Sequence, residues 1–123
     1  MDNYHNKDLG QKGEHLALKI YNNSGYKLVY KNWRYSRLGE IDLIMQRNDL
    51  LVFCEVKTRS NNIDSPSKAV TKQKQNKIIK LSKIFLMKFP QYSVYNIRYD
   101  VCQIIKKQEN KFFVEIIADA FTA

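Results

Sequence analysis

The chain has 123 residues, and its 44% hydrophobic and 27% charged residues exclude a disordered polypeptide and indicate one globular domain over residues 1–123. Lysine and arginine number 21 against 12 acidic residues, and the net charge of +9 favours a polyanionic partner, nucleic acid before anionic membrane, with a basic surface that binds nothing as the alternative. Two cysteines in apolar stretches fit neither a zinc spacing nor a disulfide framework, and no apolar run is long enough for a membrane segment, so we expect a cytoplasmic protein.

The first predicted element is a helix near the N-terminus. Small and apolar residues recur there at helical spacing and form one face: Leu9, Gly13, Leu16, Ala17, Ile20 and Tyr21. Asp8 is a suitable N-cap, and Gly25 stands where such a helix stops. A β-rich stretch over residues 27–35 follows, and we expect its Trp33 to be a core residue.

Two apolar runs then predict a β-hairpin. Residues 39–46 and 50–58 read GEIDLIMQ and LLVFCEVKT, and the short polar segment Arg47-Asn48-Asp49 separates them. The second run is almost continuously apolar, which is typical of a central strand that is covered on both faces.

A long helix and two further strands complete the predicted order. After the polar loop 59–65, we expect Ser65-Pro66 to open a helix that ends at Phe89-Pro90. Its apolar stripe contains Ile78, Leu81 and Phe85. Strands are expected over residues 92–105 and 112–117. A strand, a long helix and another strand imply a parallel, right-handed crossover, so the predicted fold class is α/β or α+β with one central mixed sheet and helices against it.

Three charged side chains stand out within the hairpin. Asp42 lies inside an apolar strand, whereas Glu55 and Lys57 are two residues apart and share one face of the next strand. A buried unpaired charge is costly, so these residues need a partner or a ligand. A register that places Asp42 beside Glu55 would gather two acids and a lysine at one end of the sheet. A structural salt bridge of Lys57 with either acid is the alternative.

Such a set suits phosphodiester cleavage. A carboxylate pair binds Mg²⁺ or Mn²⁺, which polarises a phosphoryl oxygen and lowers the pKa of a bound water. Lys57 can orient that water and neutralise charge at the phosphate. The backbone carbonyl of Val56, between the two charged residues, is a further candidate ligand.

The same residues resemble a known superfamily. G-E-x-D, with E-V-K beginning 13 residues after the aspartate, is similar to the motif of the PD-(D/E)xK nucleases. The chain resembles more closely the uncharacterised protein family 0102, also called YraN-like, whose pattern it matches in order over almost its whole length. The matching segments are GEHLA at 13–17, NWR at 32–34, GEIDLI at 39–44, VFCEVKTR at 52–59 and RYDV at 98–101.

This resemblance implies a fold and a site. The fold would be an α/β, restriction-endonuclease-like three-layer fold, with a central mixed β-sheet flanked by helices, similar to archaeal Holliday-junction resolvases. Carried over residue by residue, Glu14, Asp42 and Glu55 would be catalytic acids that bind the metal, and Lys57 would be the catalytic lysine.

The resemblance also implies a nucleic-acid contact on the second helix. Lys74 and Gln75 fall where the family has a lysine–glutamine pair, although Lys72-Gln73 offers a competing register. The residues expected to contact nucleic acid are Lys72, Lys74, Gln75, Lys77 and Arg59. Glu40 is kept outside the metal site, as a supporting residue or a partner of Arg34 or Arg37.

The predicted function is therefore a Mg²⁺- or Mn²⁺-dependent endonuclease acting on DNA rather than RNA, with branched or damaged DNA as candidate substrates. The alternatives are a nucleic-acid-binding module that has this fold without turnover and a domain whose basic face meets an acidic protein. Because junction-resolving relatives tend to pair, a homodimer stays open. Arg98 and Asp100 share a strand face and are expected to form a structural ion pair.

Overall fold

The computed structural model describes residues 2–59, 70–109 and 111–123, with side chains from residue 10 onward. These residues follow the predicted order of one helix, three strands, a second long helix and two strands. The elements are α1 (Asp2–Asn23), β1 (Lys27–Tyr35), β2 (Gly39–Arg47), β3 (Leu50–Arg59), α2 (Lys72–Lys88), β4 (Asn96–Gln108) and β5 (Lys111–Phe121). A short 3-10 helix, Pro90–Tyr92, lies between α2 and β4.

The five strands form one mixed sheet in the order β1-β2-β3-β4-β5. Neighbouring strands are antiparallel except β3 and β4, which run parallel and are connected through α2. Two parallel strands cannot be joined by a tight turn and need a crossover connection. The predicted parallel crossover is therefore confirmed. β3 occupies the centre of the sheet, as its apolar sequence predicts, and residues 51–55 are all buried.

The two long helices pack on opposite faces of the sheet, and each face has its own core. On the α2 side, Phe85 makes edge-on aromatic contacts with Trp33 and Phe53, and Trp33 is a core residue with only 5% exposure. On the α1 side, Ala17 and Tyr21 pack with strand residues that include both cysteines as buried free thiols. The molecule therefore has the expected α/β architecture of three layers, with the mixed sheet between helices.

A partly buried ion pair of β4 lies against α1. The Arg98 guanidinium donates two hydrogen bonds of 2.8 Å to Asp100, whose side chain is fully buried. Tyr21 donates its hydroxyl to the same carboxylate at 2.8 Å, and the backbone N–H of Asp119 donates at 3.0 Å. The expected pair is present. The Asp100 carboxylate accepts four hydrogen bonds, which explains how it can be buried this deeply.

Both helix starts differ from the prediction. α1 begins at Asp2, so Asp8 lies within it and does not cap it; no glycine or proline in residues 2–8 interrupts the helix. Ser65-Pro66 lies outside the described residues, but the helix that carries the apolar stripe begins at Lys72. Thr71 is its N-cap, and the Thr71 side chain accepts a hydrogen bond from the Lys74 N–H at 3.1 Å. In the described part of the chain, neither long helix is long and apolar enough to cross a membrane.

The helix ends and the β2–β3 turn agree better with the expectations from the sequence than the helix starts do. Gly25, with a φ of 90°, follows the last turn of α1, and Phe89 caps the end of α2. The β2–β3 turn has only two residues, Asn48 and Asp49, because Arg47 still belongs to β2. β4 begins at Asn96, later than expected, since the residues after Pro90 form the 3-10 helix instead.

Candidate functional site

The β2–β3 hairpin brings Asp42 beside Glu55. Leu43 pairs with Cys54 in the antiparallel register, so Asp42 and Glu55 are the next residues on their strands. The backbone N–H of Val56 donates a hydrogen bond of 2.8 Å to the Asp42 carboxylate. The two acids are 8% and 6% exposed, respectively. Asp42 and Glu55 are therefore neighbours on paired strands, as their positions in the sequence predict.

Helix α1 adds Glu14 to this end of the sheet. Gly13 is buried where α1 crosses β3, and a Cβ at this position would overlap the methyl group of Thr58 and lie 3.2 Å from Ile104. The missing side chain therefore allows the helix to approach β3 closely. Glu14 follows directly and reaches the carboxylate of Asp42.

Glu40 also belongs to this acidic cluster, although sequence reasoning kept it outside. One oxygen from each of Glu14, Glu40 and Asp42 lies within 4.8 Å of the other two. Glu40 also forms a 3.4 Å ion pair with Arg34, which was one of its two expected partners. The signal was available in the sequence, because Glu40 and Asp42 are two residues apart on one strand.

Burial opposes the ionisation of Asp42 and of Glu55. Burial, reinforced by the charge of Glu55 and more weakly by Glu14 and Glu40, raises the pKa of Asp42 to about 8 despite the hydrogen bond from Val56. Burial also raises the pKa of Glu55, although two lysines act against this shift. A cation bound between these carboxylates would favour their ionised forms.

The two lysines beside Glu55 come from different elements. Lys57 lies on the same strand face as Glu55, and Lys74 of α2 places its Nζ 3.5 Å from the Glu55 carboxylate. Lys74, rather than the exposed Lys72, is therefore the α2 lysine that reaches the acids. The N-cap at Thr71 fixes the first turn of α2 from which Lys74 extends.

The other residues predicted to contact nucleic acid belong to α2 and to the end of β3. Gln75 donates its side-chain amide to the backbone carbonyl of Val70 at 3.2 Å, so it stabilises the start of α2. The Lys77 side chain runs alongside Gly39. Arg59 is half-buried at the end of β3, and Lys72 is exposed.

The donor set suits a hard divalent cation. Asp42, Glu55, Glu14 and Glu40 offer carboxylate oxygens from α1, β2 and β3, which Mg²⁺ and Mn²⁺ prefer over nitrogen or sulfur ligands. The described residues at this site include no histidine or cysteine within the acidic cluster. A metal ligand role for the Val56 carbonyl stays a prediction, since the observed contact of Val56 with Asp42 uses its N–H.

Comparison with known proteins identifies the family. The model of "Uncharacterised protein family UPF0102" matches residues 13–104, which include all of these acids and both lysines. The UPF0102 protein of Natranaerobius thermophilus is 39% identical over 117 residues, covering 94% of this chain and 98% of that protein. The UPF0102 protein of Clostridium botulinum strain Loch Maree is 42% identical over 120 residues, covering 96% and 97%, and that of strain Kyoto is 41% identical over the same length. The chain is a member of family UPF0102.

Proposed function

We propose that this protein is a Mg²⁺- or Mn²⁺-dependent endonuclease that hydrolyses phosphodiester bonds in DNA. The observation that supports this most is the meeting of buried and half-buried acids from α1, β2 and β3 with Lys57 and Lys74 at one end of the sheet. A structural salt bridge alone would explain one acid and one lysine. Such a salt bridge does not explain why further carboxylates lie close to Asp42.

Asp42, Glu55 and Glu14 would hold the cation, with Glu40 as a further ligand. Such a cation would supply Lewis acidity at the phosphate and a bound water of lowered pKa. The carboxylates are negatively charged, so they cannot stabilise the anionic substrate directly. The Lys57 ammonium would supply positive charge that neutralises charge developing on the phosphoryl oxygens, and it would orient the attacking water.

The α2 lysines would extend the contact with the substrate. Lys72 and Lys77 are exposed on α2, the helix from which Lys74 reaches Glu55. They would contact backbone phosphates together with Gln75 and Arg59. The net charge of +9 favours such binding through the whole surface, and phosphate contacts carry most of the affinity for DNA.

Metal binding and cleavage should be measured separately. Calorimetry with Mn²⁺ and Mg²⁺ is expected to show a bound ion that is lost in Asp42→Ala and Glu55→Ala. Glu109→Ala, which removes a carboxylate with an 88% exposed side chain, should bind the ion normally. Branched, nicked and single-stranded DNA should be cut by the wild type, and Lys57→Ala should retain the ion but lose at least about 100-fold in rate.

A second outcome would favour a binding module without turnover. The charge excess alone supports salt-sensitive binding of DNA, independently of the acids. If the wild type binds DNA equally well with and without metal and cuts none of the three substrates, the nuclease proposal is wrong. If it cuts them and Lys57→Ala cuts them at full rate, the role given to Lys57 is wrong.

A further inference from the structure

Asn32 has a backbone conformation that is unusual inside a strand. Its φ of 54° lies in the left-handed region, which residues other than glycine rarely adopt and asparagine tolerates better than most. The pairs on either side of it join Lys31 to Leu43 and Trp33 to Ile41. The irregular residue is therefore flanked by regular pairing on both sides.

This position lies directly across from Asp42, and the side-chain alternation of β2 changes there. Residues two apart on a regular strand face the same side of the sheet. Ile41 nevertheless packs in the core on the α2 side, whereas Leu43 packs in the core on the α1 side. The left-handed residue Asn32 therefore lies opposite the point at which the side-chain alternation of β2 changes phase.

The Asn32 side chain contacts the acidic cluster directly. Its amide nitrogen donates a hydrogen bond of 3.1 Å to Oε2 of Glu14, and both side chains are half-buried. A carboxylate that gives one oxygen to an amide keeps its second oxygen for a cation. The amide is neutral, so it orients Glu14 without the positive charge that would compete with a metal ion for it.

We propose that Asn32 is a positioning residue whose left-handed backbone turns its amide onto Glu14 and holds that carboxylate beside Asp42 and Glu40. This inference rests on the proposed metal site. Residues that orient metal ligands by hydrogen bonds usually change metal affinity by about 10- to 100-fold when they are removed.

Two substitutions separate the amide from the backbone conformation. Asn32→Gly removes the amide but adopts the left-handed conformation readily, whereas Asn32→Ala loses both. Both variants are expected to bind Mn²⁺ about tenfold or more weakly than the wild type in calorimetry. Asn32→Ala should in addition have a lower midpoint of thermal unfolding than Asn32→Gly.

A double-mutant cycle then tests whether Asn32 acts through Glu14. In a Glu14→Ala background, adding Asn32→Gly should have no further effect on Mn²⁺ affinity. An undiminished effect in that background would show that the amide acts elsewhere and would overturn the proposal. So would a wild-type Mn²⁺ affinity in Asn32→Gly itself.

The position of the Glu14 carboxylate tests the role of Asn32 even if the proposed metal site is wrong. Should the wild type bind neither Mn²⁺ nor Mg²⁺, the proposed function fails, and crystal structures of wild type and Asn32→Gly are compared instead. A Glu14 carboxylate that leaves Asp42 and Glu40 in the variant supports the positioning role. An unmoved carboxylate refutes it.

Discussion

Asp42 lies among other carboxylates where little water reaches it, so ionising it in the folded, metal-free protein is costly. Its pKa of about 8 compares with an ordinary value of 3.8, which the unfolded chain would show. An acid of this kind binds its proton more tightly when the chain is folded. Its contribution to stability is therefore fully present below about pH 4 and is lost as the pH rises towards 8.

The metal-free protein is therefore expected to lose stability as the pH rises. The free energy of unfolding should fall by about 2 kcal/mol between pH 6 and pH 8, since one pKa unit corresponds to about 1.4 kcal/mol. Asp42→Asn should abolish most of this slope and exceed the wild type in stability at pH 8.5. Urea denaturation in EDTA measures both, with Asp49→Asn in the exposed β2–β3 turn as the control. Equal slopes in wild type and Asp42→Asn would contradict the argument.

The sequence predicts the acidic residues on the strands better than the residues that position them. Asp42 and Glu55 follow from strand spacing, because an acid in an apolar strand is conspicuous. Glu14 came only from the family resemblance, since an acid on a helix is ordinarily solvated. The role of Asn32 depends on a positive φ and on a contact between β1 and α1, and neither leaves a distinct pattern in the sequence.

The approach of α1 to the sheet depends on a single missing side chain. Gly13→Ala would push a Cβ into Thr58, so we expect a loss of about 1–3 kcal/mol in unfolding free energy, as for other overpacked sites. Gly10 on the same helix has no atom within 4 Å of the equivalent Cβ position. Gly10→Ala should therefore stabilise the protein by about 0.5–1 kcal/mol through helix propensity.

Chemical denaturation of the two alanine variants provides the comparison, and Mn²⁺ calorimetry extends it. Because Glu14 adjoins Gly13, the first variant should also bind metal more weakly, whereas the second should match the wild type. Two variants of equal stability would mean that α1 adjusts its position freely over β3.

Element order could be predicted from the sequence, whereas some boundaries could not. The hairpin and the crossover follow from apolar runs and short polar turns. The start of α2 does not, since Ser65-Pro66 and Thr71 are both acceptable helix starts by local rules. In the structure Thr71 is the N-cap of α2, and the first turn of this helix places Lys74 against Glu55. Ser65-Pro66 lies outside the described residues.

Two exposed lysines, Lys77 and Lys27, lie near opposite ends of β2. Lys77 runs beside Gly39, at the end of β2 nearer the acidic cluster, whereas Lys27 pairs with Gln46 at the other end of that strand. A DNA backbone that passes the acids would meet the first lysine and miss the second.

Charge reversal at these two lysines tests this placement. Lys77→Glu should weaken DNA binding and reduce the slope of log affinity against log salt concentration by about 1, since each phosphate contact contributes roughly that amount. Lys27→Glu should change the slope less. Fluorescence anisotropy across a salt series measures both, and equal effects would indicate a diffuse surface instead of a defined path.

The left-handed residue in β1 has a consequence beyond the acids. β1 is an edge of the described sheet, and an edge strand offers unpaired backbone groups to any other extended chain. This strand carries Lys27, Lys31 and Arg34, its register shifts after Leu28, and its backbone turns at Asn32. Charges and kinks of this kind make an edge a poor template, so the bend that places the Asn32 amide on Glu14 also protects the molecule from edge-to-edge aggregation.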